Sequence, residues 1–99
     1  MKNQLLEKQV DLEWGSIYYW EGGLASDSAP LLFLPGWSVS VETYLESLNT
    51  LSQRYQVIAA DLPGFCKSTS PKNLHNYGDY GNCIIDFLEK LNIKKVHLI

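Results

Sequence analysis

The sequence predicts an α/β fold with a mostly parallel sheet, and two observations lead to this prediction. Short runs that are apolar at every position, as in strands buried on both faces, recur along the chain. Between them lie longer stretches whose apolar residues are three or four positions apart, as on one face of a helix. Because domains usually need roughly 100–200 residues, we expect residues 1–99 to form one domain at most, or part of one.

The first predicted element is an antiparallel hairpin over residues 5–22. Apolar and polar residues alternate imperfectly here, and Trp14, Gly15 and Ser16 form the only turn signal between two extended halves. Since so short a connection cannot cross over a sheet, the two strands must run antiparallel. The small and polar residues that follow, up to Pro30, predict a surface loop.

Three buried strands are predicted after the hairpin. Residues 31–34 and 57–60 are wholly apolar, and each run stops at a turn-forming segment that contains Pro-Gly. Residues 96–99 begin the third strand. A helix separates each strand from the next, which predicts βαβ units with parallel strands and right-handed crossovers.

Two amphipathic helices are predicted between the buried strands. In the first, over residues 41–54, the apolar residues share one face, and Ser40 is placed to cap the free N–H groups. The second helix has the same spacing over residues 80–91, with Asn76 as a candidate cap and Asn92 as a left-handed end.

Composition and charge exclude several classes of protein. The net charge is −3 and no basic run is longer than Lys94-Lys95, so neither a nucleic-acid partner nor a membrane surface is expected. No apolar stretch approaches the roughly 18 residues of a membrane span, and the first residues lack a secretory pattern, so we expect a cytoplasmic location. Cys66 and Cys83 lack CxxC spacing and are expected to be free thiols.

Two loops and the order of elements resemble the N-terminal third of α/β-hydrolase fold proteins. The segments are residues 31–37, Leu-Leu-Phe-Leu-Pro-Gly-Trp, and residues 57–68, Val-Ile-Ala-Ala-Asp-Leu-Pro-Gly-Phe-Cys-Lys-Ser, followed by the helix leading into residues 95–99. The resemblance implies that the sheet contains, in order, the hairpin, the second buried strand, the first and the third. It also implies that a Gly-x-Ser-x-Gly nucleophile elbow would follow Ile99, so that the nucleophile, the acid and the His lie beyond this chain.

The resemblance assigns one part of a catalytic site to this sequence. The backbone N–H of Trp37 corresponds to one of the two donors that bind the negative oxygen of a tetrahedral intermediate. Gly36 lets the backbone turn sharply and approach a ligand, so Gly36 and Trp37 are the predicted substrate-binding residues. The alternative is that Pro35 and Gly36 form only a turn and that Trp37 only covers the core.

Two positions depart from the family pattern. Pro35 stands where His is usual, and Pro has no N–H and a fixed φ. Cys66 stands where Gly is usual, and a side chain there would be strained if the position needs a positive φ.

Two further residues receive structural roles. Asp61 directly follows a strand, and we expect it to brace its loop through hydrogen bonds to backbone N–H groups. His97 alternates with apolar neighbours in the third strand, which favours a buried or half-buried structural histidine.

The function that the resemblance implies is that of a serine hydrolase, esterase-like, acting on a small-molecule ester without metal or organic cofactor. We expect the 99 residues alone to be inactive and to expose an apolar strand edge. The alternative is a non-catalytic remnant or scaffold member of the same fold. An independent nucleotide-binding domain is disfavoured, because no strand is followed by a Gly-rich loop.

Overall fold

The computed structural model describes residues 5–23, 29–35, 40–62 and 77–99. These residues form one five-stranded mixed sheet with helices on its two faces. The strands are β1 (Leu6–Leu12), β2 (Gly15–Gly23), β3 (Leu31–Phe33), β4 (Gln56–Ala60) and β5 (His97–Leu98). A 3₁₀ turn (Val41–Tyr44) leads directly into α1 (Leu45–Leu51), and α2 (Tyr77–Lys90) is the longer helix.

The strands are ordered β1-β2-β4-β3-β5 across the sheet, which is the order that the family resemblance implies. β1 and β2 form the predicted antiparallel hairpin, and β2 also runs antiparallel to β4. β3 is parallel to both β4 and β5. Parallel strands need a crossover connection, and a helix lies between β3 and β4 and another between β4 and β5 along the chain. The two kinds of pairing meet at β4, so the sheet is antiparallel on one side of this strand and parallel on the other.

One core lies between the sheet and α2. The apolar residues of α2 that face the sheet include Ile84 and Phe87, and the sheet contributes Ile17, Tyr19 and Ile58 among others. The rings of Tyr19 and Phe87 meet edge to face with their centroids 5.2 Å apart, which is a favourable aromatic geometry.

A second core lies on the opposite face, under α1. Alternate residues of a strand point to opposite faces, so Val57 and Ala59 face α1 while Ile58 faces α2. Val41 and Leu48 cover this side of the sheet. Both faces of β4 are therefore buried, as its unbroken apolar run predicts.

The helices differ from the prediction at their ends. The first predicted helix, over residues 41–54, opens as a 3₁₀ turn and is α-helical only over Leu45–Leu51. The predicted Ser40 cap is confirmed, since its Oγ accepts a hydrogen bond of 3.1 Å from the Glu42 N–H. Asn92 has φ 61°, which confirms the left-handed end of α2. The candidate cap Asn76 lies outside the described residues.

The outer strand β5 differs from the prediction in one residue and agrees with it in another. His97 is exposed, so its assignment as a buried or half-buried histidine is wrong. Among the described residues β5 has a neighbour on one side only, which leaves both of its residues open to solvent. Leu98 is 67% exposed, which confirms the predicted apolar edge.

Gly23, at the end of β2, is required by its surroundings. Its φ is 101°, a conformation that residues with a Cβ rarely adopt. A Cβ at this position would collide with the carbonyl oxygen of Tyr55. The close approach lets the last residues of β2 pair with the start of β4, where Gly23 lies opposite Gln56.

Candidate functional site

Three parallel strands end at the same side of the sheet. The register places Phe33 beside Ala59, and Leu32 beside Leu98, so the chain leaves β3, β4 and β5 at neighbouring points. Loops at the carboxyl ends of parallel strands are where α/β sheets usually bind ligands. We call this region, which includes Leu34, Asp61 and Ile99, the carboxyl end of the sheet.

Asp61 is a buried polar residue at the carboxyl end of the sheet. It is fully buried, and its Oδ1 accepts a hydrogen bond of 2.9 Å from the backbone N–H of Val41. The Ser40 hydroxyl donates to the same oxygen over a longer distance of 3.5 Å. The predicted hydrogen bond from a backbone N–H to Asp61 is therefore confirmed, but the segment that Asp61 holds is the one that follows β3 and not its own loop, which lies outside the described residues from residue 63 on.

The start of the 3₁₀ turn has a partner for each of its first three N–H groups. Asp61 accepts from Val41, the Ser40 hydroxyl accepts from Glu42, and the Ser40 carbonyl accepts from Thr43 at 3.1 Å. Free N–H groups at a helix start must be satisfied when they are removed from water. Ser40 and Asp61 together make this backbone a fixed point.

The contact between Asp61 and Val41 joins residues that are 20 positions apart. The sequence predicts that Asp61 braces a loop and that Ser40 caps a helix. It does not predict that Asp61 contacts Ser40 and Val41. The sequence does contain a hint of this contact. Asp61 directly follows β4, the candidate cap Ser40 follows β3, and these two strands are predicted to be neighbours.

The predicted substrate-binding residues Gly36 and Trp37 lie outside the described residues, as does Cys66. The structure describes the chain on both sides of residues 36–39. On one side Pro35 is buried directly after β3, and on the other Ser40 and Val41 are held by Asp61.

Among the described residues, three ionisable groups have shifted pKa values, and they belong to the hairpin and to α2. A hydrogen bond to the Glu21 carboxylate raises the pKa of Lys8. Burial raises the pKa of the Tyr19 hydroxyl and of the Cys83 thiol. Cys83 is a free, buried cysteine, as predicted. A raised pKa favours the unreactive thiol over the thiolate, so Cys83 does not have the character of a nucleophile.

Two surface grooves of the described residues are lined in part by α2. One, of 480 Å³, is lined by the second half of α2 and the residues after it, including Ile85, Leu88 and Ile93. The other, of 750 Å³, lies between the hairpin turn at Trp14 and α2. No cluster of metal-binding side chains occurs within residues 5–23, 29–35, 40–62 and 77–99. In the same ranges no helix has both the length and the apolar character of a membrane span.

Several solved structures are similar to this chain along almost its whole length. A bacterial membrane phospholipase A is 31% identical, with a TM-score of 0.82 over 95% of this chain and 30% of that protein. A candidate lipase from Acinetobacter baumannii is 25% identical, with a TM-score of 0.83 over 95% of this chain and 32% of that one. The Cif epoxide hydrolase from Acinetobacter nosocomialis is 24% identical, with a TM-score of 0.80 over 95% and 29%.

The chain thus spans about a third of the length of these relatives. The family model for the alpha/beta hydrolase fold matches residues 29–99, which include β3, β4, β5 and both helices. The match covers more than half of the chain, and the hairpin adds the antiparallel strands at one side of the sheet. The chain belongs to the α/β-hydrolase fold family and carries an amino-terminal segment of that fold.

Proposed function

We propose that this chain is the amino-terminal part of a serine hydrolase that cleaves small carboxylic esters. In this proposal the backbone N–H of Trp37 is one of two oxyanion donors, and Gly36 allows the substrate to approach the backbone. Membership of the family supports hydrolysis, and two of the similar structures are a phospholipase and a candidate lipase, whose names denote ester hydrolysis.

The observation that carries the proposal is the pairing of β3 with β5. The Ile99 N–H donates to the carbonyl oxygen of Leu32 at 3.0 Å, so the two strands are still hydrogen-bonded where the chain reaches Ile99. Neighbouring strands are about 4.8 Å apart. A nucleophile placed in a turn directly after Ile99 would therefore lie beside the segment that follows β3, which contains Trp37.

The proposed mechanism uses this proximity. A serine oxygen attacks the ester carbonyl carbon while a histidine takes the serine proton, and the carbonyl oxygen becomes negatively charged. Two backbone N–H groups stabilise that charge, and each such donor is worth about 3 kcal/mol. As the intermediate collapses, the histidine donates the proton to the leaving oxygen and the alcohol departs, leaving the acyl group on the serine. The histidine then takes a proton from water, which attacks the acyl-enzyme, and returns it to the serine oxygen as the acid is released.

The experiment is to express the longest reading frame that begins with this chain, beside residues 1–99 alone. We expect a Gly-x-Ser-x-Gly motif shortly after codon 99, labelling by a fluorophosphonate, and a burst of p-nitrophenol from p-nitrophenyl butyrate. Activity should be unaffected by EDTA, because the proposed mechanism uses no metal.

Two results would contradict the proposal. Fluorophosphonate labelling of residues 1–99 alone would place the nucleophile within this chain. A longer frame that lacks the motif, or that has it and does not hydrolyse activated esters, would favour the alternative of a non-catalytic member of the fold.

A further inference from the structure

We propose that the amino-terminal end of the hairpin controls a local opening of α1, through a contact that we call the clasp. The clasp is the hydrogen bond of 2.9 Å from the Leu5 N–H to Oδ1 of Asn49, together with the burial of the Leu5 side chain under α1. When the clasp opens, α1 leaves the sheet while α2 stays packed. This opening does not depend on ester hydrolysis, so it and the proposed function are tested separately.

The first step is that α1 needs support from the rest of the chain. It has seven residues, and isolated helices shorter than about 12–15 residues are marginal in water. Leu48 is its buried residue, whereas Glu46, Ser47 and Thr50 are exposed. Contacts with other elements therefore decide whether α1 stays formed.

The second step is that the clasp supplies such a contact to the second half of α1. Leu5 lies directly before β1, is 9% exposed and belongs to the same core cluster as Leu48. The backbone carbonyl of Asn49 accepts from other groups, the Ser52 hydroxyl at 2.7 Å and the Gln53 side-chain amide at 3.1 Å. Since these bonds use the backbone, a change of the Asn49 side chain removes the clasp and keeps them.

The third step is that the opening stays on one face of the sheet. Leu5 and Trp20 belong to the core under α1, whereas Tyr19 and Phe87 belong to the core under α2. Proteins open locally in cooperative units at a lower free energy than global unfolding requires. Loss of the clasp therefore exposes the core under α1 and leaves the other core closed.

The clasp joins two parts of the chain of different standing. The family model begins its match at residue 29, so α1 lies inside the matched range while Leu5 and the hairpin lie before it. The clasp spans 44 positions of sequence. A partner or an extension that displaces Leu5 is therefore transmitted to α1.

The variants at Asn49 separate the clasp from helix propensity by the sign of their effect. Asn49→Ala removes the acceptor of the Leu5 N–H. Alanine is also the better helix former, so without a clasp this substitution makes α1 open less often. Asn49→Asp keeps an acceptor oxygen and can still receive the Leu5 N–H.

The first experiment measures hydrogen exchange by mass spectrometry on residues 1–99. In Asn49→Ala we expect peptides covering residues 44–52 to exchange about 10-fold faster, while peptides from α2 stay within about 2-fold of wild type. Asn49→Asp should stay within about 3-fold of wild type over residues 44–52. The matched control is Asn82→Ala at an exposed position of α2, which should leave the exchange of α1 unchanged.

Two results of this experiment would overturn the proposal. Unchanged or slower exchange over residues 44–52 in Asn49→Ala would show that helix propensity outweighs the contact with Leu5. An equal rise in the peptides of α1 and α2 would show that the opening is not local.

The second experiment removes the clasp from its other end. Leu5→Pro has no N–H to donate, whereas Leu5→Ala keeps the donor and shortens the side chain. Because Leu5→Pro already lacks the hydrogen bond, adding Asn49→Ala should not accelerate exchange over residues 44–52 any further. In the Leu5→Ala background the same addition should still accelerate it.

Acceleration by Asn49→Ala of equal size in both backgrounds contradicts the clasp, since Asn49 then acts without the Leu5 N–H. If the Leu5→Pro chain does not fold, the comparison of Asn49→Ala with Asn49→Asp decides. Faster exchange in the alanine variant alone supports the proposal, and equal exchange in the two overturns it.

Discussion

At the residue scale, Phe87 joins α2 to the sheet. It is fully buried and makes an edge-to-face contact with Tyr19 of β2. Truncation of a buried Phe to Ala removes transfer free energy and leaves a cavity, which together cost about 3–5 kcal/mol. A loss of this size is comparable with the whole stability of many small domains.

We therefore expect Phe87→Ala to lower the free energy of unfolding by about 3–5 kcal/mol, measured by urea titration with circular dichroism. The control is Ile85→Ala on the same helix, where the side chain is 54% exposed, and its effect should stay within about 0.5 kcal/mol. Equal effects of the two substitutions would show that α2 is not packed on the sheet through Phe87.

Asp61 and His97 show what residue-level reasoning can find. The position of Asp61 directly after an apolar run predicts hydrogen bonds from backbone N–H groups, and the structure confirms one from Val41. His97 stands between apolar residues, but burial depends on which strand lies next to it, and β5 has a described neighbour on one side only. Alternation along a strand indicates which face of the sheet a side chain lies on, but not whether the strand lies at the edge of the sheet. The prediction of a buried or half-buried His97 is wrong for this reason.

At the element scale, the lengths of helices are less predictable than their existence. The apolar spacing after residue 40 continues to Tyr55, but the α-helical part ends at Leu51. The chain must turn back there to enter β4, and residues 52–54 form that turn. The end of α2 is predictable because Asn92 tolerates the left-handed conformation that closes a helix.

The turn between α1 and β4 leaves no room for a side chain at position 23. A side chain at this position would need an unfavourable φ and would meet the backbone oxygen of Tyr55. We expect Gly23→Ala to destabilise the chain by at least about 1–2 kcal/mol, since left-handed φ alone costs that much.

Gly81→Ala is the matched control in the same urea titration. Gly81 lies in α2, and beyond its chain neighbours and the nearby backbone of its own helix a Cβ there would have no atom within 4 Å. Alanine is the better helix former, so this substitution should stabilise the chain by about 0.4–1 kcal/mol. The two substitutions are chemically identical and should differ in sign, and the same sign for both would contradict the described geometry of β2.

At the scale of the whole molecule, the two outer strands of the sheet have different surfaces. β1 exposes charged and polar residues, among them Glu7, Lys8 and Gln9, and such edges resist pairing with another chain. β5 exposes Leu98 and is followed by Ile99, which is 55% exposed. The apolar outer strand is therefore the one that favours self-association.

We expect Leu98→Lys to reduce self-association of residues 1–99, measured as the monomer fraction by analytical ultracentrifugation. Leu6→Lys is the control, because Leu6 is 64% exposed and lies on the other outer strand. It should raise the monomer fraction much less. Equal effects would attribute any gain in solubility to net charge and not to the β5 edge.

The sheet order could be predicted from the sequence, whereas most of the candidate site could not. The family could be identified from the alternation of buried strands and helices and from the loops around Gly36 and Asp61. The family in turn implies the strand order, which the structure confirms. The site depends on contacts between residues far apart in sequence, such as Asp61 with Val41. The spacing of residues along the chain does not reveal how far apart two loops lie in space, so these contacts could be identified only from the structure.

The strand order also bears on how the chain folds during synthesis. Within the described ranges β3 pairs with β4 and β5, which both come later in the chain, and β4 begins about twenty residues after β3 ends. Ribosomes add about 5–20 residues per second, so β4 is synthesised roughly one to five seconds after β3. During that interval its apolar side chains are available to chaperones, while the hairpin that precedes it can already form.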